Sequence, residues 1–195
     1  ISRWDKASGV VCRAIVVAVM LGAVFVPCHI ASAQEKASSD VSRPSVYRSP
    51  FSVINSLDGQ TGYVTDRPGG SLVIFDAAKM ATLNEIPLHG HPQGLALSGD
   101  GNTLYVAEHG AGSVAVIDAK TQTVTSRILV GKWPTAVAVA RTSQRLYVGN
   151  QDRHTVSVID LNQNPPSVLK EIPVSREPSC LAVTPDERYI VVTNL

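Results

Sequence analysis

Cysteine is almost missing from this sequence. Of the three cysteines, Cys12 and Cys28 fall in an N-terminal apolar segment and only Cys180 lies beyond it, so no disulfide framework is available. Cys180 sits in an apolar run and reads as a small core residue. An excess of charge of either sign is missing too. Beyond residue 33 there are 14 Lys and Arg against 15 Asp and Glu. Nucleic-acid binding, which rests on clustered phosphate-neutralising charge, is thereby disfavoured. Long hydrophobic runs are absent: the longest, residues 14–26, has thirteen residues, short of the about 20 that span a bilayer. No C-x-x-C-H haem attachment, G-x-S-x-G elbow, phosphate loop or Cys-rich metal motif occurs. No catalytic residue, metal site or cofactor is therefore assigned to the chain.

The N-terminus reads as a targeting segment. Arg3, Lys6 and Arg13 give a basic start, the apolar run follows, and Ala31-Ser32-Ala33 supplies an A-x-A cleavage site. This predicts a Sec-type signal peptide over residues 1–33, cleavage after Ala33, and a periplasmic or secreted product without a stable membrane anchor. Cys28 follows Val26-Pro27, which does not match a lipoprotein box. Residues 34–48, rich in Ser, Pro and charge, read as a linker. Ser45-Val46-Tyr47 is an alternative candidate for a ring-closing outer strand.

What the rest of the chain has is a repeat. Pro50, Pro92 and Pro134 recur every 42 residues, as do Tyr63, Tyr105 and Tyr147, and Asp76, Asp118 and Asp160. A fourth copy starts at Pro178, and its two extra residues fall in the polar stretch 161–166. Each copy has the same order: an apolar strand after the proline, a polar turn, two hairpin strands, and a fourth strand at residues 81–88, 123–130 or 167–174. In the second copy the hairpin strands are 104–107 and 113–117, joined by the loop Glu108-His109-Gly110-Ala111-Gly112. Four antiparallel strands per unit of this length predict an all-β chain, a β-propeller of four-stranded blades. Repeats at about 49–90, 91–132, 133–176 and 177–195 give about three and a half blades, where rings close with about four to eight. The expectation is a piece of a larger ring, seven-bladed on this reading, in a chain that starts without an initiator Met.

The segments LYVAEH, LYVGNQ and IVVTN, with SVxVID strands and a preceding P-x-x-L/V-A-V/L-T/S-x-D pattern, resemble the YVTN-type β-propeller repeat. The resemblance covers about residues 49–195. It implies an exported propeller and a family spanning surface proteins, quinoprotein-like dehydrogenase subunits, lactonase-like enzymes and proteins fused to cytochrome c. Fold follows from it more directly than function does.

Alternate turns of an antiparallel blade lie on opposite faces of the disc. The loops that lead into each first strand share a face with the loops between strands two and three, near the central channel. The lead-in loops carry Ser49, His91, Trp133 and Glu177 immediately before the four prolines, a variety that a constant structural role does not call for. Each proline is expected to hold its predecessor extended. The hairpin loops add His109, Asp152, Arg153 and His154 on the same side, with His89 nearby. Ser49, His91, Trp133, Glu177, His109, Arg153 and His154 are the candidate ligand-binding residues at the channel mouth. A metal or haem cluster of histidines would use this face, but the spacing matches no tight ligand motif. Asp76, Asp118 and Asp160 cap turns on the other face, and the three tyrosines pack between blades.

The functional expectation is an exported binding or scaffold protein that takes a protein, glycan or small molecule on the lead-in face. The alternative is the front part of a periplasmic oxidoreductase or electron-transfer protein, with a cytochrome c-like redox centre further along. Lactonase-like hydrolysis ranks third, since it needs clustered His, Glu and Arg side chains.

Overall fold

The computed structural model describes residues 48–195. The signal peptide read at 1–33, the linker up to residue 47 and the alternative strand at 45–47 lie outside the described residues. The chain divides into two units, Ile1–Val41 and Ser42–Leu195, and every described strand belongs to the second.

Three four-stranded antiparallel sheets and a two-stranded one follow each other in sequence. The first blade is β1 (Pro50–Asn55), β2 (Thr61–Asp66), β3 (Ser71–Asp76) and β4 (Ala81–Pro87). The second is β5 (Pro92–Leu97), β6 (Thr103–Glu108), β7 (Ser113–Asp118) and β8 (Thr123–Leu129), and the third is β9 (Pro134–Ala140), β10 (Arg145–Asn150), β11 (Thr155–Asp160) and β12 (Ser167–Pro173). The final pair is β13 (Pro178–Val183) with β14 (Ile190–Asn194). The described residues contain no helix. These are the blades of a β-propeller, in the strand order that the repeat predicts. The repeat extends to the hydrogen-bond register: the ladder between third and fourth strands slips at Ile74/Phe75, Val116/Ile117 and Val158/Ile159, positions 42 residues apart.

The blades pack face to face because the inner strands are apolar on both sides of the pleat. Alternate side chains point to opposite faces, so β6 sends Leu104 and Val106 towards the first blade and Tyr105 and Ala107 towards the third. Three buried clusters result, one at each blade junction. Leu72, Ile74, Leu104 and Ile117 fill the first, Val114, Leu146 and Ile159 the second, and Tyr147, Val156, Val158 and Leu181 the third. Tyr63, Tyr105 and Tyr147 are all buried in them, as packing residues. Val53 and Val191 are exposed, on sheet faces that no other described blade covers. Cys180 is exposed as well, which corrects its reading as a core residue. It holds the place in β13 that Ala136 holds in β9, and Ala136 is buried by the neighbouring pair whereas nothing described covers Cys180.

Near the channel the first strands approach closely enough to select residues. A Cβ on Gly94 would lie 2.4 Å from the Thr135 carbonyl oxygen of the next blade, so only glycine fits. Hydroxyls tie the same region together: Thr65 donates to the Gln93 carbonyl at 2.8 Å and Thr135 to the Pro178 carbonyl at 3.3 Å.

On the far face, the repeated aspartates accept backbone N–H groups at the turns: Asp76 from Ala78 and Lys79, Asp118 from Lys120 and Thr121, Asp160 from Asn162. The turn after each first strand is closed by Asp58, Asp100 or Asp186 in three repeats. Its hydrogen bonds from Ser98 and Asn102 hold the Asp100 carboxyl down at about 2. The third blade lacks this aspartate. There Glu187, from the turn between β13 and β14, reaches across and accepts the N–H groups of Thr142 and Ser143 at 2.7 and 2.8 Å.

Two substitutions test this architecture. Gly94→Ala forces the first strands of blades two and three apart and is expected to cost about 1–3 kcal/mol in urea unfolding. Arg127→Met strips the partner from Glu108, a fully buried carboxylate 2.9 Å away, and is expected to cost about 3–5 kcal/mol because a buried charge is left unpaired.

Candidate functional site

The lead-in loops and the hairpin loops meet through one hydrogen bond that recurs in every repeat. The carbonyls of Ser49, His91, Trp133 and Glu177 accept from the N–H groups of Arg67, His109, Gln151 and Leu195, at 3.3, 3.2, 3.0 and 3.2 Å. In each case the partner stands 18 residues further on. The face assignment made from strand alternation therefore matches the geometry, and each hairpin loop brings one side chain beside one lead-in residue.

An open cleft of about 500 Å³ lies on this face, lined by Arg67, His109, Trp133, Gln151, Asp152, His154 and Glu177. Four successive repeats contribute. Of the candidate residues, His109, Trp133, His154 and Glu177 line the cleft. Ser49, His91 and Arg153 do not. His91 stands beside it with Nδ1 3.1 Å from the Arg67 carbonyl oxygen, and Arg153 turns outward to Glu171 on β12, 4.0 Å away. Ser49 has its backbone committed to Asp66 and Arg67.

Arg67 and Gln151 escaped the residue-by-residue reading. A signal for them was nevertheless present, because they stand 42 residues before and 42 after His109. Glu108 was also misplaced, as part of a loop. It ends β6, is fully buried, and is the most densely bonded carboxylate of this face. It accepts from the His89 N–H at 2.8 Å, the Ser113 hydroxyl at 2.7 Å and Arg127 Nε at 2.9 Å. Its counterparts Asp66 and Asn150 are likewise buried. The Ser49 N–H donates to Asp66, and a Cβ on Gly131 would strike Asn150. In the first two blades, then, a carboxylate at the end of the second strand accepts a lead-in N–H, whereas Asn150 in the third donates to Thr155 and Ser157 on the neighbouring strand.

Trp133 and Glu177 depart from the extended conformation expected before proline: their φ angles are +54° and +47°. The second blade takes its left-handed turn one residue earlier, at Gly90 with φ +67°. Without a glycine at the corresponding place, the third and fourth lead-in loops put the turn on the residue before proline. That rotation sets the Trp133 indole parallel to the His109 ring, with centroids 6.0 Å apart and planes 8° from parallel. About half of Trp133 stays exposed in the cleft.

Burial pushes the His109 imidazole below its ordinary value of 6.5, the Gln151 side chain opposes this through a hydrogen bond, and the nearby Arg67 and His91 add to the lowering. At neutral pH the stacked ring is neutral. His154 Nδ1 accepts the Glu177 N–H at 3.2 Å, joining the third hairpin loop to the fourth lead-in loop. The histidines of this face do not form a metal cluster: among the described residues no three His, Cys, Asp or Glu side chains converge as metal ligands.

The blades and their repeated register define a propeller, and comparison gives its family. The family model described as lactonase, 7-bladed β-propeller, matches residues 76–183. The chain belongs to that family. No curated protein matches the chain. Among solved structures it is similar to Kuenenia stuttgartiensis hydrazine synthase, with 24% identity and a TM-score of 0.68 over 78% of this chain and 45% of that one. It is also similar to a protein of unknown function from Desulfotomaculum acetoxidans, with 17% identity and a TM-score of 0.65 over 75% and 49%. A candidate 6-phosphogluconolactonase from Bacteroides fragilis aligns with 20% identity and a TM-score of 0.60 over 74% and 42%. The chain spans less than half the length of each of these structures, and the likeness is one of fold. A propeller repeat is what the sequence resemblance called for; the family matched is the lactonase propellers.

The stacked pair makes its own titration observable. With Trp4 replaced by phenylalanine, Trp133 emission should change with pH at a midpoint below 6.5, and His109→Phe should abolish the change. Because the folded-state pKa lies below the unfolded one, this group's stabilisation is complete above pH 6.5 and is lost as the pH falls below that value. Urea midpoints measured down from pH 7 check the sign.

Proposed function

We propose that the cleft binds a small hydroxylated compound bearing a carbonyl or carboxyl group, in a propeller that acts outside the cytoplasm. One observation carries this reading: side chains from four successive repeats line a single cleft, a half-exposed indole among them. Arg67, Gln151 and His154 supply donors, Asp152 and Glu177 supply acceptors, and Trp133 supplies an apolar surface. That is the make-up of a small-molecule site, an apolar platform with a few polar groups around it. Export rests on the N-terminal pattern of residues 1–33, and the YVTN-type repeat sequence is in keeping with an exported propeller.

Family membership and the site chemistry favour a second reading, hydrolysis of a lactone. The sequence alone left unanswered where clustered His, Glu and Arg side chains would come from. Arg67, His109, His154 and Glu177 now stand around one cleft. In such a reaction water adds to the carbonyl carbon, the ring C–O bond breaks, and the departing oxygen leaves as a hydroxyl. A neutral imidazole such as His109 can take the proton from water, and a guanidinium such as Arg67 can stabilise the developing oxyanion.

Both readings are tested together. In the Trp4→Phe background, Trp133 emission is titrated with D-glucono-1,5-lactone and with its open-chain hydroxy acid, while a pH-stat follows acid release. Saturable quenching without acid release above the uncatalysed rate supports binding, and accelerated release supports hydrolysis. Arg67→Ala should weaken either ligand about tenfold, the loss expected for one charged hydrogen bond. No response to any hydroxylated lactone or hydroxy acid would refute both readings.

A further inference from the structure

The first blade and the β13–β14 pair present sheet faces that match each other. Each junction joins the forward face of one sheet to the backward face of the next, and the repeat offset identifies the residues of each face. In the second blade the backward face is Leu95, Leu104, Val106, Ala115 and Ile117, all buried against the first blade. The first blade carries Val53, Gly62, Val64, Val73 and Phe75 at the same places. That face is apolar throughout, and no other described sheet covers it. Phe75 fills the room left by the glycine, since a Cβ on Gly62 would strike its ring. On the β13–β14 pair, Cys180, Ala182 and Val191 take the places of Ala136, Ala138 and Tyr147, which form the buried forward face of the third blade. All three are exposed.

The hydroxyl ties between first strands repeat as well. Thr65 and Thr135 donate to the carbonyls of Gln93 and Pro178, each at the start of the next sheet. The last pair has Thr193 where the first blade has Thr65, and Ser179 where the third has Thr135. Their hydroxyls stand 2.9 Å apart and bond each other. The matching acceptors, the carbonyls of Phe51 and Pro50, lie on β1. We infer that two copies of this chain associate head to tail, the β13–β14 face of one seated on the Val53–Val64–Val73 face of the other. One chain holds both halves of the contact: an apolar face with two hydroxyl donors, and an apolar face with the two corresponding carbonyls. A contact between unlike faces closes into a ring or continues as a fibre. Each copy brings four sheets, so two copies reach the upper end of the about four to eight with which propellers close. A closed pair therefore buries Val53 and Val191 at two equivalent contacts.

The test is light scattering on the full chain and on its Val53→Lys and Val191→Lys variants. Both residues are more than half exposed in the single chain, so each variant is expected to fold, and urea midpoints check this. The native chain should have twice the 20.7 kDa mass of one copy. Each variant alone should run as a single copy, because a lysine buried without a partner at both contacts weakens association about a hundredfold. Mixing the two variants should restore the pair, since one contact then joins an unchanged Val191 face to an unchanged Val53 face. That recovery separates a contact between unlike faces from one between like faces, where a single variant would dissociate and mixing would not help. A native chain of single-copy mass, association that survives both lysines, or variants that fail to complement each other would overturn the inference.

Discussion

Everything in this structure depends on apolar contact between the broad faces of successive sheets. In the second and third blades each inner strand buries both sides of its pleat, so a residue such as Leu104 belongs to one junction and its neighbour Tyr105 to the next. A fully buried aliphatic side chain contributes about 1.5–3 kcal/mol, and each junction collects several. The outer strands carry little of this. β4, β8 and β12 expose most of their residues; β4 and β8 bury one each, Ile86 and Ile128, and β12 half-buries Ile172. The loops near the channel inherit rigidity from the junctions beneath them, which is why chemistry can be placed there without its own core.

Much of the fold was legible in the sequence because the repeat is periodic in three independent residue types. Proline, tyrosine and aspartate each fix a different point of the blade, and strand bounds come out within one or two residues. The last residue of β6 is a telling exception. Glu108 carries a charge and follows a hydrophobic strand, so propensity places it in the loop. In the fold it is fully buried, tolerated because three donors reach it. Burial of a charge with partners from distant segments leaves no local trace in sequence.

The site was legible in part for a related reason. Alternation assigns loops to a face, and that found His109, Trp133, His154 and Glu177 as lining residues. It cannot say which way a loop side chain turns. Arg153 sits between two cleft residues in sequence and leaves for Glu171. The rule that a residue before proline stays extended also failed at Trp133 and Glu177, where tertiary hydrogen bonds and the lack of a preceding glycine prevail over a local steric preference. Reading across the repeat proved more informative than reading along it. One offset groups His109 with Arg67 and Gln151.

The reach of Glu187 across to Thr142 and Ser143 bears on how the array holds together as it forms. In a row of repeats, each unit is stabilised by itself and by its neighbours. Here the third blade has given up its own turn cap and borrowed one from the β13–β14 pair. Its turn donors are left to water until that pair docks. Cooperativity therefore runs backwards along the chain at this junction, with a later segment completing an earlier one, and fraying of the last pair would loosen the turn of the blade that precedes it.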